Sequence, residues 1–177
     1  MEKYKIWYEN PQELDEELLE VCRKVAFGND SYRLILENPY LEIPMANEIY
    51  KLMKKEYKDI GMPESEACFE ADVKNISMNT YIDNMISALR SRLWGDDCEV
   101  NYRNLKCLIV RDVEKVTEKY MAETEFTSML EYRIKNGKKT VLLQTQKYQG
   151  PIVLQEVYKH LKTVHIEYAR CEENITG

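Results

Sequence analysis

The sequence predicts an α/β domain built on a mainly parallel, five-stranded sheet covered by helices on both faces. Three observations carry that expectation. Short apolar runs alternate with amphipathic helical segments along most of the chain. The strongest run, residues 105 to 110, is continuous in apolar residues, as a strand buried on both faces should be. A length of 177 residues supplies about one domain's worth of core.

The elements follow in chain order. Residues 1 to 28 read as a helical lead-in, because Leu14, Leu18, Leu19, Val21, Cys22 and Val25 recur at spacings of three and four over 12 to 26. Acids precede Arg23-Lys24 in that segment, as the helix dipole prefers. Gly28-Asn29-Asp30 breaks the chain before a short buried strand, Arg33 to Leu36. A loop containing Pro39 and Pro44 leads into a helix over about 45 to 58, with Pro44 suited to its first turn. Ala71 to Ile76 reads as a weaker strand. Ser77 or Asn79 then caps a helix carrying Tyr81, Ile82, Met85, Ile86, Leu89 and Leu93 on one side. After the strand at 105 to 110 and a charged turn, a helix over about 121 to 135 closes at Asn136-Gly137, a left-handed C-cap signal. A strand at Thr140 to Leu143, a helix over about 152 to 161 and a strand over about 163 to 168 complete the order. Residues 170 to 177 read as a tail.

Composition narrows the function. With 25 basic and 31 acidic residues the net charge is −6, which argues against broad binding to nucleic acid or anionic membrane. The average hides a split: residues 1 to 100 hold 12 basic and 21 acidic groups, and residues 101 to 177 hold 13 and 10. The five cysteines, Cys22, Cys68, Cys98, Cys107 and Cys171, form neither a disulfide framework nor a zinc motif. No run approaches the length of a membrane span. A reduced, cytoplasmic protein is the expectation, with no membrane partner. His160 and His165 lack a matched ligand set, and no metal site is expected.

In a parallel sheet, ligands gather at the carboxyl ends of the strands, which directs attention to Glu37 to Met45, Arg111-Asp112 and Gln144-Thr145-Gln146. At those segments a family resemblance emerges. Residues 102 to 113, Tyr-Arg-Asn-Leu-Lys-Cys-Leu-Ile-Val-Arg-Asp-Val, follow a helix that contains Asn84-Met85-Ile86-Ser87-Ala88-Leu89-Arg90. Together with Glu125-Phe126, Asn136-Gly137-Lys138-Lys139 and the strand after them, they resemble the AAA+ domain of the bacterial replication initiator DnaA. The resemblance spans roughly residues 29 to 168. It implies a three-layer, P-loop NTPase-like fold occupying residues 1 to 177 as a single domain, without the family's helical lid or DNA-reading domain.

The same resemblance implies a nucleotide pocket whose chemistry has been replaced. The family's G-x-x-x-x-G-K-[ST] loop falls on Asn38 to Met45, so Asn38 and Ile43 stand for the glycines, Pro44 for the lysine and Met45 for the hydroxyl residue. Pro39 and Pro44 each lack an N–H for phosphate, and Glu42 adds a negative charge. A carboxylate ~5 Å from one phosphate charge, at an effective dielectric of ~20, costs about 3 kcal/mol. The strand-end acidic pair maps to Arg111-Asp112, placing a permanent cation at the magnesium position. Thr145 or Gln146 falls at the polar sensor. The acidic loop and the basic strand end predict that Arg111 pairs with Glu37 or Glu42.

The expected function is therefore a non-catalytic interaction or regulatory module in replication initiation, with no cofactor. Its partner would be an initiator, a helicase loader or a second copy. The alternative is an ATP- and Mg²⁺-binding protein, resembling a helicase loader, that uses a non-standard pocket. An unrelated dinucleotide-binding enzyme is disfavoured, since no glycine-rich strand-to-helix turn is present. Tyr102, Tyr120, Tyr132 and Tyr148, interleaved with Arg103, Lys115, Lys119, Arg133, Lys138 and Lys147, offer a weaker alternative, a single-strand DNA platform.

Overall fold

The computed structural model describes residues 2–7, 14–59, 72–94, 102–118, 120–145 and 150–169. Its sheet has six parallel strands: β1 (Glu2–Trp7), β2 (Tyr32–Leu36), β3 (Val73–Ser77), β4 (Cys107–Arg111), β5 (Lys139–Gln144) and β6 (Lys162–Ala169). Their spatial order is β1-β6-β2-β5-β4-β3. Five are the expected strands. The sixth corrects the reading of residues 1 to 28 as a helical lead-in: Glu2 to Trp7 pair in parallel with Val164 to Ala169 at the sheet edge. That pairing comes from the opposite end of the chain, so no local pattern announces it.

Alternation along the central strands builds two cores, as a doubly covered sheet requires. Cys107, Ile109, Val141, Leu143, Leu34 and Leu36 face a layer formed by α1 (Glu16–Ala26) and α2 (Glu42–Asp59), with Leu18, Val21, Met45 and Ile49 among the buried residues. Leu108, Val110 and Leu142 face α3 (Met78–Trp94), α4 (Tyr120–Lys135) and α5 (Ile152–Tyr158), packing with Met78, Tyr81, Phe126, Leu130 and Leu154.

Local chemistry sets the helix ends. Asp15 caps α1 by accepting from the Leu18 N–H at 2.9 Å. Ser77 Oγ accepts from the Thr80 N–H at 3.1 Å, so Ser77, and not Asn79, caps α3. At the end of α4, Gly137 adopts φ 64°. Lys138 N–H then returns to Arg133 O and Gly137 N–H to Ile134 O, the paired bonds of a Schellman turn. The α2 helix begins at Glu42, three residues before the expected start, because a 3-10 turn at Pro39–Leu41 runs straight into it. Among the described residues, no helix is long and apolar enough to cross a membrane.

Candidate functional site

Because every strand is parallel, the turns after β2, β4 and β5 meet at one end of the sheet, and they bring together most of the residues singled out in the sequence. After β2, the turn closes on itself. The Asn38 side chain accepts from the Tyr40 N–H at 3.0 Å, and its carbonyl accepts from Leu41 N–H at 3.2 Å. Pro39 opens the 3-10 turn, and Tyr40 and Ile43 project outward, 73% and 55% exposed. Pro44 lies in the first turn of α2, whereas Met45 points into the core and is fully buried.

Glu42 crosses from this turn to the end of β4. Its Oε1 accepts from the Asp112 N–H at 2.8 Å. Asp112 is the one non-glycine residue with positive φ among those described, at 54°, a conformation that aspartate tolerates better than most side chains. Glu42 is 3% exposed, and burial together with the neighbouring Asp112 and Glu114 carboxylates pushes its carboxyl group up to about 9. Asp112 Oδ2 has Lys115 Nζ at 3.9 Å.

Thr145, after β5, donates its hydroxyl to Glu114 Oε1 at 2.8 Å. Glu114 carries no motif. Its signal in the sequence is slight: an acid three residues beyond the end of β4. One carboxylate oxygen from each of Glu42, Asp112 and Glu114 lies within 4.8 Å of the others. Gln146 lies outside the described residues.

The expected ion pair between Arg111 and Glu37 or Glu42 does not form. Glu42 is engaged by the Asp112 amide instead, and Arg111 Nε is buried without a hydrogen-bond partner. Glu37 is exposed, and its N–H donates to Ile166 O at 3.0 Å.

The aromatic and basic platform is corrected in part. Tyr102 is 7% exposed and packs tilted against Tyr81, with ring centroids 5.2 Å apart. Arg133, fully buried, donates to Tyr102 O, Leu105 O, Lys139 O and Thr140 Oγ1 at 2.6 to 2.9 Å. Burial pulls its guanidinium down to about 10, so it stays charged at neutral pH. Both side chains are structural and unavailable to a ligand. Arg103 lies over the Tyr132 ring at 5.7 Å, on the surface. Lys119, Lys147 and Tyr148, and the side chain of Tyr120, lie outside the described residues.

Comparison with known proteins agrees with this architecture. The family model of the bacterial DnaA ATPase domain matches residues 55–167. No curated protein sequence matches the chain. Among solved structures, domain III of the Thermotoga maritima replication initiation protein DnaA aligns with a TM-score of 0.62 at 13% identity, over 85% of this chain and 60% of that one. DnaA from Aquifex aeolicus, solved with AMPPCP, aligns at 0.57 and 14% identity, over 86% of this chain and 45% of that one. The DnaC helicase loader aligns at 0.52 and 13% identity, over 85% and 89%. The chain thus spans 45 to 60% of the length of these initiators.

Proposed function

From its membership of the bacterial DnaA ATPase-domain family, we propose that this chain is a non-catalytic protein-interaction or regulatory module in replication initiation, with a vestigial nucleotide pocket. The pocket comprises Asn38, Pro39, Glu42, Ile43, Pro44, Met45, Arg111, Asp112, Thr145 and Gln146. One observation carries the reading: the Glu42 carboxylate bridges the first turn of α2 to the Asp112 N–H. A helix N-terminus that binds phosphate must leave its first turn open to the ligand, and here the chain's own Glu42 carboxyl group takes up that turn.

The surroundings support the same reading. Asn38 has consumed the Tyr40 and Leu41 amides in its own turn. Pro44 has no N–H, and Met45 is committed to the core. Thr145 is engaged by Glu114. A nucleoside triphosphate would have to displace the Glu42 bond and bring its negative charge up to the cluster of Glu42, Asp112 and Glu114, which argues against magnesium-bound ATP in this pocket.

The partner in this proposal is a protein: a replication initiator, a helicase loader or a second copy of the chain. A thermal-shift titration with ATP at constant Mg²⁺ tests the pocket. No shift is expected at millimolar nucleotide. Stabilisation of about 2.7 kcal/mol, the value for ligand at a hundred times its Kd, would overturn the proposal in favour of a non-standard ATP-binding pocket. Sedimentation of the purified chain, alone and mixed with purified initiator or loader, tests the partner.

A further inference from the structure

Strand β2 lies inside the sheet, between β6 and β5, and a parallel strand in that position is as a rule apolar on both faces. Arg33 breaks the run. Leu34 and Leu36 face α1 and α2, so Arg33 points to the other face of the sheet, where α5 lies. Two contacts hold it there: Nε donates to Gln144 Oε1 at 2.7 Å, and the guanidinium carbon stands 4.3 Å from the centre of the Tyr158 ring. A guanidinium fixed in this way is preorganised for a planar anion.

Beside it opens a cavity of about 360 Å³ between α5 and strands β2 and β6, lined by Arg33, Gln155, Tyr158, Lys159 and Thr163. None of these five is acidic. Glu156, outside the lining, reaches Lys159 Nζ at 2.6 Å, so the ionised groups of wall and rim leave one net positive charge. Both members of that pair are exposed, and such a pair is weak enough for the ammonium to turn to a ligand. Arg33 and Thr163 are register partners near the amino ends of their strands. The cavity is therefore separate from the strand-end turns, and it lies on the face away from α2 and Glu42.

We propose that this cavity binds a small organic acid through its carboxylate. A planar carboxylate matches the guanidinium of Arg33, and the Lys159 ammonium and Thr163 hydroxyl add donors at the same wall. Charge selects the carboxylate over a phosphate ester: one negative charge answers one net positive charge, whereas a phosphate dianion leaves an excess. Size agrees as well. The volume falls within the roughly 300–1,000 Å³ of small-molecule sites, with room beyond the carboxylate for the body of the acid.

Benzoate is the probe, and because it carries no phosphate the result is independent of the nucleotide titration. The full chain, in a buffer free of other carboxylates, is titrated by calorimetry. One benzoate per chain with a Kd of about 1 mM or below is expected. Benzamide, which keeps the shape and lacks the charge, should bind about tenfold more weakly or worse. Arg33→Lys keeps the charge but removes the planar fork, and Thr163→Val removes the hydroxyl at nearly equal size; each should weaken benzoate, the first by about tenfold. Lys55→Ala, an exposed change on α2, serves as the control and should leave binding unchanged. Circular dichroism establishes that each variant is folded, and Lys159→Ala, at an exposed position, replaces either one that is not. No saturable heat up to about ten times the expected Kd, equal binding of benzamide, or binding that survives the pocket substitutions would overturn the proposal.

Discussion

The two ends of the sheet treat buried charge in opposite ways. At the amino end, cations meet carbonyl oxygens and little is left over. Arg133 reaches four acceptors, and Lys139 Nζ donates to Ala26 O at 3.2 Å and Gly28 O at 2.7 Å. At the carboxyl end, three carboxylates crowd together, and Glu42 Oε2, Glu114 Oε2 and Arg111 Nε are all buried without partners. Satisfied polar networks hold a fold in one arrangement, while each unsatisfied buried group costs free energy. The difference separates an end whose buried charges are satisfied from one where they are not, within a single sheet.

Substitutions at each end can break that contrast. The largest expected effect is Arg133→Met, which leaves three carbonyls and a threonine hydroxyl without their donor. Urea unfolding at pH 7 should show a loss of roughly 3–5 kcal/mol. A loss below about 1 kcal/mol would mean that the amino-end network does not hold the fold. Glu42→Gln should act in the opposite sense. With its carboxyl group raised from 4.5 to about 9, the folded chain holds a proton that the unfolded chain has released between those values. Stability is then full below about 4.5 and falls as pH climbs towards 9. The glutamine variant should flatten that slope. An unchanged slope would remove Glu42 as its source.

Smaller effects sharpen the comparison. Lys139→Met removes two bonds to carbonyl oxygens and should cost about 1–2 kcal/mol in the same urea assay. Lys162→Ala, which breaks the exposed pair with Asp30 at 2.6 Å, should leave the urea midpoint unchanged. A measurable shift there would extend the amino-end network to the surface.

Much of the fold was legible because its signals are local. Continuous apolar residues marked β4, Asn136-Gly137 marked the end of α4, and Ser77 stood among the possible caps of α3. Glu42 was legible for a different reason: it stands inside a motif whose other positions were also changed, and charge in that turn is conspicuous. Glu114 was not, since its meeting with Glu42 depends on three separate strand ends and on the left-handed turn at Asp112. Arg133 looked like an ordinary basic residue in the last turn of a helix, where the dipole favours one. Only the Schellman turn and the loop before β4 place carbonyls around it.

The edge strand β1 carries a kinetic consequence. It pairs Glu2 with Val164, a closure of about 160 residues, whereas β4 and β5 join Cys107 to Lys139 over about 30. By the logarithmic dependence of closure entropy on loop length, the longer closure costs about 1.4 kcal/mol more. The β1–β6 ladder is therefore the most non-local contact in the sheet, and native contacts of that kind slow folding. Assembly should start from the β4-α4-β5 unit, with its short closure and its buried arginine, and finish at the seam where the first strand meets the last.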